Sequence, residues 1–225
     1  MQEKINLNKK TGRLLGLFFL IAMVTSILGS IMDPILGSND YLVNVSANKI
    51  QIILGLISEF ICGIAVVGIA ITAFPLLKRY NEDLARWYQG TRIFEAAITA
   101  VFVMAGLLLI TLSQEYVKAD TPDAANFQII GTLLKEARFW GYRIYIIAVC
   151  FAVPVFYYVF YKAKFLPRFI SVWGLIGTLL LFIGNMFSMF GITINEAIYG
   201  SVLGLNEVFL GVWLLSKGVK VTKDE

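Results

Sequence analysis

The sequence predicts an all-α fold, a polytopic integral membrane protein built as a six-transmembrane-helix bundle, and three observations carry the prediction. Of 225 residues, 58% are hydrophobic and only 15% charged, against roughly 45–50% apolar and ~25% charged in ordinary soluble domains. The apolar residues fall in six long runs, each near the ~20 residues a helix needs to cross a bilayer. Short segments rich in Lys, Arg or turn residues separate these runs. The chain, 1–225, reads as a single membrane domain with spans at about 13–32, 49–77, 89–113, 139–161, 169–191 and 199–216.

Composition also removes function classes. Without any histidine, the chain has no imidazole metal ligand, no Ser-His-Asp triad and no histidine pH switch. Cys62 and Cys150 each lie inside an apolar run, where cysteine behaves as a small buried hydrophobe. No metal or cofactor is expected. The net charge of +4 comes from Lys and Arg lying mostly between spans, the pattern that sets membrane topology. Nucleic acid is therefore excluded, and the partner expected is the lipid bilayer, with a small-molecule or cationic ligand as a further candidate. No motif supplies a nucleophile, a metal set or a phosphate loop, so an enzyme is not expected.

The first run, Leu14 to Met32, ends at Asp33-Pro34 with no small-residue cleavage pattern and reads as a retained span. Asp33-Pro34 should break the helix, leaving residues 34–48 as an outer loop. The second span holds Glu59 between Gly55 and Gly63, and Pro75 precedes a basic inner loop over 78–86. Near the expected start of the third span, Arg92 and Glu95 are three residues apart, a spacing at which they pair on one helix face. The longest loop, 114–135, contains Thr121-Pro122-Asp123, and residues 124–134 suit a short amphipathic helix on the membrane surface. The fourth span carries Arg143 one turn from its outer end, with Pro154 deeper in. Residues 162–168 form a basic inner loop. The fifth span shows Gly177, Gly184, Ser188 and Gly191 at packing intervals, with Asn185 beside them. After a short outer loop containing Glu196, the last span places Glu207 on the face of Gly200, Gly204 and Gly211, all within about 60° of it at 100° per residue. Trp87, Trp140, Tyr157, Tyr158 and Tyr161 read as interfacial anchors.

Thirteen Lys and Arg fall on the side of the two termini and four on the other. The bias puts both termini in the cytoplasm of a multi-pass cell-membrane protein.

Arg92-Ile93-Phe94-Glu95, Leu166-Pro167-Arg168-Phe169-Ile170 with Gly174 and Gly177, and Asn206-Glu207 followed by Gly211-Val212-Trp213-Leu214-Leu215-Ser216-Lys217-Gly218 together resemble a bacterial multi-pass membrane family. It is the one catalogued as domain of unknown function 4386. The likeness runs from about Gly12 to Gly218 and is most specific in the last helix. One departure is that the helix opens Gly200-Ser201-Val202, where the family often has a proline before the acid. The resemblance implies a six-helix inner-membrane protein in which Arg92, Glu95, Arg168 and Glu207 match the family pattern without assigned chemistry.

An acid at a bilayer centre costs roughly 2.5–3.5 kcal/mol on insertion scales, so such groups face a bundle interior or a wet cavity. Glu59, Arg143, Asn185 and Glu207 all fall in the outer half of their expected spans and are the candidate ligand-binding residues; Arg92 and Glu95 are the candidate structural pair. Two functions compete. One is an outward-facing small-molecule or cation binding or transport site. The other is a structural or regulatory membrane protein in which a Glu/Arg cluster only fixes helix packing. An intramembrane enzyme using Glu59 and Glu207 as acid and base ranks last. Either leading reading expects Arg143 within ion-pair or one-water reach of Glu207 or Glu59.

Overall fold

The computed structural model describes residues 2–119, 124–192 and 194–220, and every regular element among them is helical. In hydrocarbon no water satisfies a free backbone N–H or C=O, and a helix satisfies them within its own segment. The elements are α1 (Gln2–Gly29), α2 (Asp33–Leu36), α3 (Tyr41–Ala47), α4 (Lys49–Tyr80), α5 (Glu82–Lys118), α6 (Ala124–Lys162), α7 (Arg168–Met189) and α8 (Glu196–Lys217). Six segments are long and apolar enough to cross a membrane: Lys9–Leu36, α4, α5, Ala125–Lys162, α7 and α8. Each packs on the next in the chain, and α8 returns to pack on α1, so the six close into a ring.

Several connections differ from the sequence expectation, and always toward more helix. Asp33-Pro34 does not break the first span, because Pro34 sits in the first turn of α2, where its missing N–H has no intrahelical partner to lose. A 3-10 turn at Ser30–Met32 carries the chain from α1 into α2. The expected outer loop contains α3, whose Tyr41, Leu42 and Val45 are buried. The basic 78–86 segment is helical on both sides of Asn81, the only residue between α4 and α5, and the Asn81 side chain caps α5 by accepting from the Leu84 N–H at 2.9 Å. Pro75 does not end α4, which runs on to Tyr80.

The expected surface helix at 124–134 is the first three turns of α6, continuous with its membrane span. With 37 residues, α5 is about 55 Å long at 1.5 Å per residue, against a hydrocarbon core of about 30 Å. Both α5 and α6 therefore project beyond one face of the ring, where they hold α3. The Ser113 hydroxyl donates to the Leu42 carbonyl, the Tyr41 hydroxyl donates to the Gln128 carbonyl at 3.4 Å, and the Lys135 ammonium lies 4.2 Å over the Tyr41 ring. This face is called the α3 end below. Thr121-Pro122-Asp123 and Lys223 lie outside the described residues.

Aromatic side chains fill the ring. Phe156 stacks on Phe160 at 4.0 Å and meets Phe19 at 5.6 Å and Tyr88 at 5.8 Å. Tyr157, expected at the interface, is buried among them.

The closing seam between α1 and α8 is built on glycine. A Cβ at Gly16 would stand 2.6 Å from the Gly211 carbonyl oxygen and 2.8 Å from the Leu215 nitrogen, backbone atoms that cannot swing aside. A Cβ at Gly204 would meet only the Met23 methyl at 3.6 Å. Gly16→Ala is therefore expected to lower stability by about 1–3 kcal/mol, the usual overpacking cost, and Gly204→Ala by much less. Thermal unfolding of the two variants in detergent checks the contrast.

Candidate functional site

Two arginines of α6 organise the polar groups at the α3 end. Arg138 makes a two-pronged ion pair with Glu59 of α4, one prong running from Nη1 to Oε2 at 2.9 Å, and neither side chain is more than 17% exposed. Gly29 of α1 makes the space for it, since a Cβ there would lie 2.8 Å from the Glu59 Cγ. Five residues further along, Arg143 pairs with Glu196 of α8 at 3.1 Å, and the Tyr142 hydroxyl donates to the same carboxylate. Arg143 also approaches Asn185 Oδ1 and the Tyr199 hydroxyl, each at 3.4 Å, and the Asn185 amide donates to the Arg143 carbonyl at 3.2 Å.

The ring neighbours of α6 are α5 and α7. Arg138 reaches past them to α4, and Arg143 reaches α8 as well as Asn185 of α7, so that together they roof the lumen.

The expected pairing of Arg143 with Glu207 or Glu59 is not what the structure holds. Arg143 is taken by Glu196 and Glu59 by Arg138. Of the two true partners, Glu196 lies in the stretch that reads as a short outer loop and Arg138 just before the expected start of the fourth span, and both belong to long helices.

Glu207 instead meets the pair on α5. Arg92 Nη1 donates to both Glu95 oxygens, at 3.0 and 2.8 Å, with the two residues 3% and 0% exposed. The guanidinium lies 5.6 Å over the Tyr88 ring, and its Nε is buried with no hydrogen-bond partner. Glu207 makes no ion pair with any described residue. With Tyr88, Arg92, Phe19, Phe156 and Tyr157 it encloses a tight space. With Arg92, Glu95, Tyr145, Cys62 and Ser26 it lines a cavity of about 60 Å³. The expected start of the third span, near residue 89, put Arg92 and Glu95 close to the membrane edge. The helix begins at Glu82, so at 1.5 Å per residue both lie about 15–20 Å along α5 from its first residue, level with Glu207 across the shared cavity.

Below this centre the neighbouring Asn206, 0% exposed, ties three helices. It accepts from the Tyr157 hydroxyl of α6 and donates to the Ile170 carbonyl of α7 at 3.0 Å. Arg168 stands apart, at the start of α7, with its guanidinium 5.4 Å over the Tyr161 ring. Among the described residues, no group of three or more Cys, Asp or Glu side chains is placed to hold a metal ion.

A family model described as "Domain of unknown function (DUF4386)" matches residues 14–218. The chain belongs to this family. Every polar group of the two clusters in this DUF4386 protein lies inside the match, from Ser26 and Glu59 to Glu207. No curated protein and no solved structure matches the chain significantly.

Proposed function

We propose that this DUF4386 protein binds and releases a proton at Glu207, in the middle of the membrane, as the core of a proton-dependent membrane activity. One observation carries the reading: Arg92 gives Nη1 to both Glu95 oxygens, and Glu207 lines the same cavity without an ion pair to any described residue. Two carboxylates and one guanidinium leave one negative charge in excess when all three are ionised, and a proton or a monovalent cation cancels it. Glu207 is half-buried, and an uncompensated charge inside an apolar bundle is costly.

Size and chemistry narrow the occupant. The cavity, about 60 Å³, is well below the ~300 Å³ of the smallest usual organic-ligand sites. A water needs only ~10–15 Å³ of such volume, so several fit. The free Arg92 Nε needs an acceptor, which water supplies and a metal ion does not. The charged and titratable groups around Glu207 are Tyr88, Arg92 and Glu95 of α5, Cys62 of α4, and Tyr145 and Tyr157 of α6; α1 contributes Phe19, Met23 and Ser26.

The α3-end groups fit a structural role better. Glu59 with Arg138, and Arg143 with Glu196 and Asn185, are closed on one another and set α4 and α8 against α6. The Lys and Arg bias favours the α3 end as the outer face and both termini in the cytoplasm.

Glu207→Gln keeps the shape and removes the titratable proton. The variant is expected to fold, and to lose whatever part of the pH dependence of unfolding between about pH 5 and 9 comes from a proton taken up differently by folded and unfolded states. Thermal unfolding in lipid nanodiscs across that range, alongside infrared difference spectra for a titrating carboxyl, provides the measurement. A variant with the wild-type pH profile and the wild-type carboxyl band would overturn the assignment.

A further inference from the structure

We propose that water reaches Glu207 sideways, through a crevice between α1 and α8 that opens at the α3 end with Ser26 at its threshold. The inference rests on Glu207 being the proton site, and it supplies the route that such a site requires. From directly above, the lumen is roofed by the Arg138 and Arg143 ion pairs, which leaves the flank of the ring.

The seam between α1 and α8 loosens steadily toward the α3 end. At the far end, a Cβ at Gly12 would stand 2.7 Å from the Val219 backbone and one at Gly16 2.6 Å from the Gly211 carbonyl; at Gly204 the nearest atom is the Met23 methyl at 3.6 Å. At Gly200 the only atom within 4 Å is the Cγ of Glu196, on its own helix. Gly200, Gly204, Glu207 and Gly211 share one face of α8, so the side of α8 that closes on α1 at Gly211 stands free of it at Gly200.

The facing stripe of α1 shows the same gradient. Phe19, Ala22, Met23 and Ser26, at helical spacing, all line the cavity. Phe19 and Ala22 are buried, Met23 is half-buried and Ser26 is exposed, the only exposed residue of that lining. The cavity therefore opens at Ser26. At its inner end the Arg92 Nε, buried and without a partner, marks a place for a hydrogen-bond acceptor that no described side chain fills. Near the α3 end of the seam stand Asp33 on α2, exposed, and Glu196 on the first turn of α8, its side chain 34% exposed and paired with Arg143.

The test uses Ser26→Cys in a Cys62→Ala, Cys150→Ala background, reconstituted in lipid nanodiscs so that both aqueous faces are open to reagent. The probe is the charged, membrane-impermeant trimethylammonium-ethyl methanethiosulfonate, with Asn39→Cys in the exposed connection as the aqueous control. Ser26→Cys is expected to react. Gly200→Leu, whose added atoms project into the gap without a backbone clash, is expected to slow that reaction about tenfold or more, equivalent to ~1.4 kcal/mol of added barrier. Reaction only with a neutral, lipophilic maleimide would show that the crevice opens to lipid, and reaction with neither reagent would show that it is sealed; either overturns the route. An unchanged rate in the Gly200→Leu variant overturns it as well. Adding Glu207→Gln is expected to leave the labelling intact. Labelling with no Glu207-dependent pH effect would therefore remove the proton site and keep the crevice, whereas the converse would keep the site and remove this route.

Discussion

Arg92→Ala is expected to cost on the order of 3–5 kcal/mol, the usual penalty for removing one partner of a buried ion pair. The variant leaves Glu95 at 0% exposure without its two hydrogen bonds and brings a second unpaired carboxylate, Glu207, to the same cavity. Neutral hydrogen bonds between membrane helices, such as Tyr157 to Asn206, average only ~0.6 kcal/mol by double-mutant cycles. The charged pair should therefore dominate. Denaturation in mixed detergent measures it, and the double variant Arg92→Ala, Glu95→Ala should recover much of the loss, since it removes the stranded charge together with its partner. A double variant no more stable than Arg92→Ala alone would mean that the loss comes from the packing of the Arg92 stem and not from charge.

Arg138→Ala should have the next largest effect, again on the order of 3 kcal/mol for a stranded, mostly buried carboxylate, reduced somewhat because the pair retains 12% and 17% exposure. Its signature differs from that of Arg92. Glu59 loses its link from α4 to α6 across the lumen, so the damage should be concentrated at the α3 end. Hydrogen exchange should rise in α3 and the first turns of α6, while the α1–α8 seam around Gly16 keeps its protection. Arg138→Lys keeps the charge without the fork geometry and should fall between the two. Uniform loss of protection across all helices would place Glu59 and Arg138 in the global core instead.

Hydropathy made the six spans legible, because a helix in hydrocarbon must be apolar over a fixed length and nothing else in the chain imitates that signal. The depth of each polar residue was not legible. Depth had been counted from the edge of the apolar run, whereas the helices start well outside it: α5 at Glu82 and α6 at Ala124. Arg138 sits fourteen residues into α6, yet it falls just outside a span counted from residue 139. Glu196 looked like loop for the same reason, in the first turn of α8. Of the glycine face around Glu207, Gly211 packs tightly on α1, while Gly204 meets only the Met23 methyl and Gly200 no atom of another helix within 4 Å. What spacing within one helix cannot supply is which of several buried acids meets which arginine, because that depends on ring order and on helix length beyond the bilayer. The one local signal was the interval between Arg138 and Arg143, two cations on one helix at a separation that sends them to different neighbours.

The glycine seam has a consequence for biosynthesis. Because α8 closes on α1, the Gly12–Gly16 face of α1 stays uncovered while α4 to α7 are made, so the ring remains open until α8 has left the ribosome. Arg92 and Glu95 pair within one helix, three residues apart, and can enter the bilayer already neutralised. Glu207 has no such companion on its own segment. Its helix is the costly passenger, and it arrives when the five earlier spans have already built the polar lumen that receives it. A chain that stops short of α8 would therefore leave the glycine face of α1 uncovered.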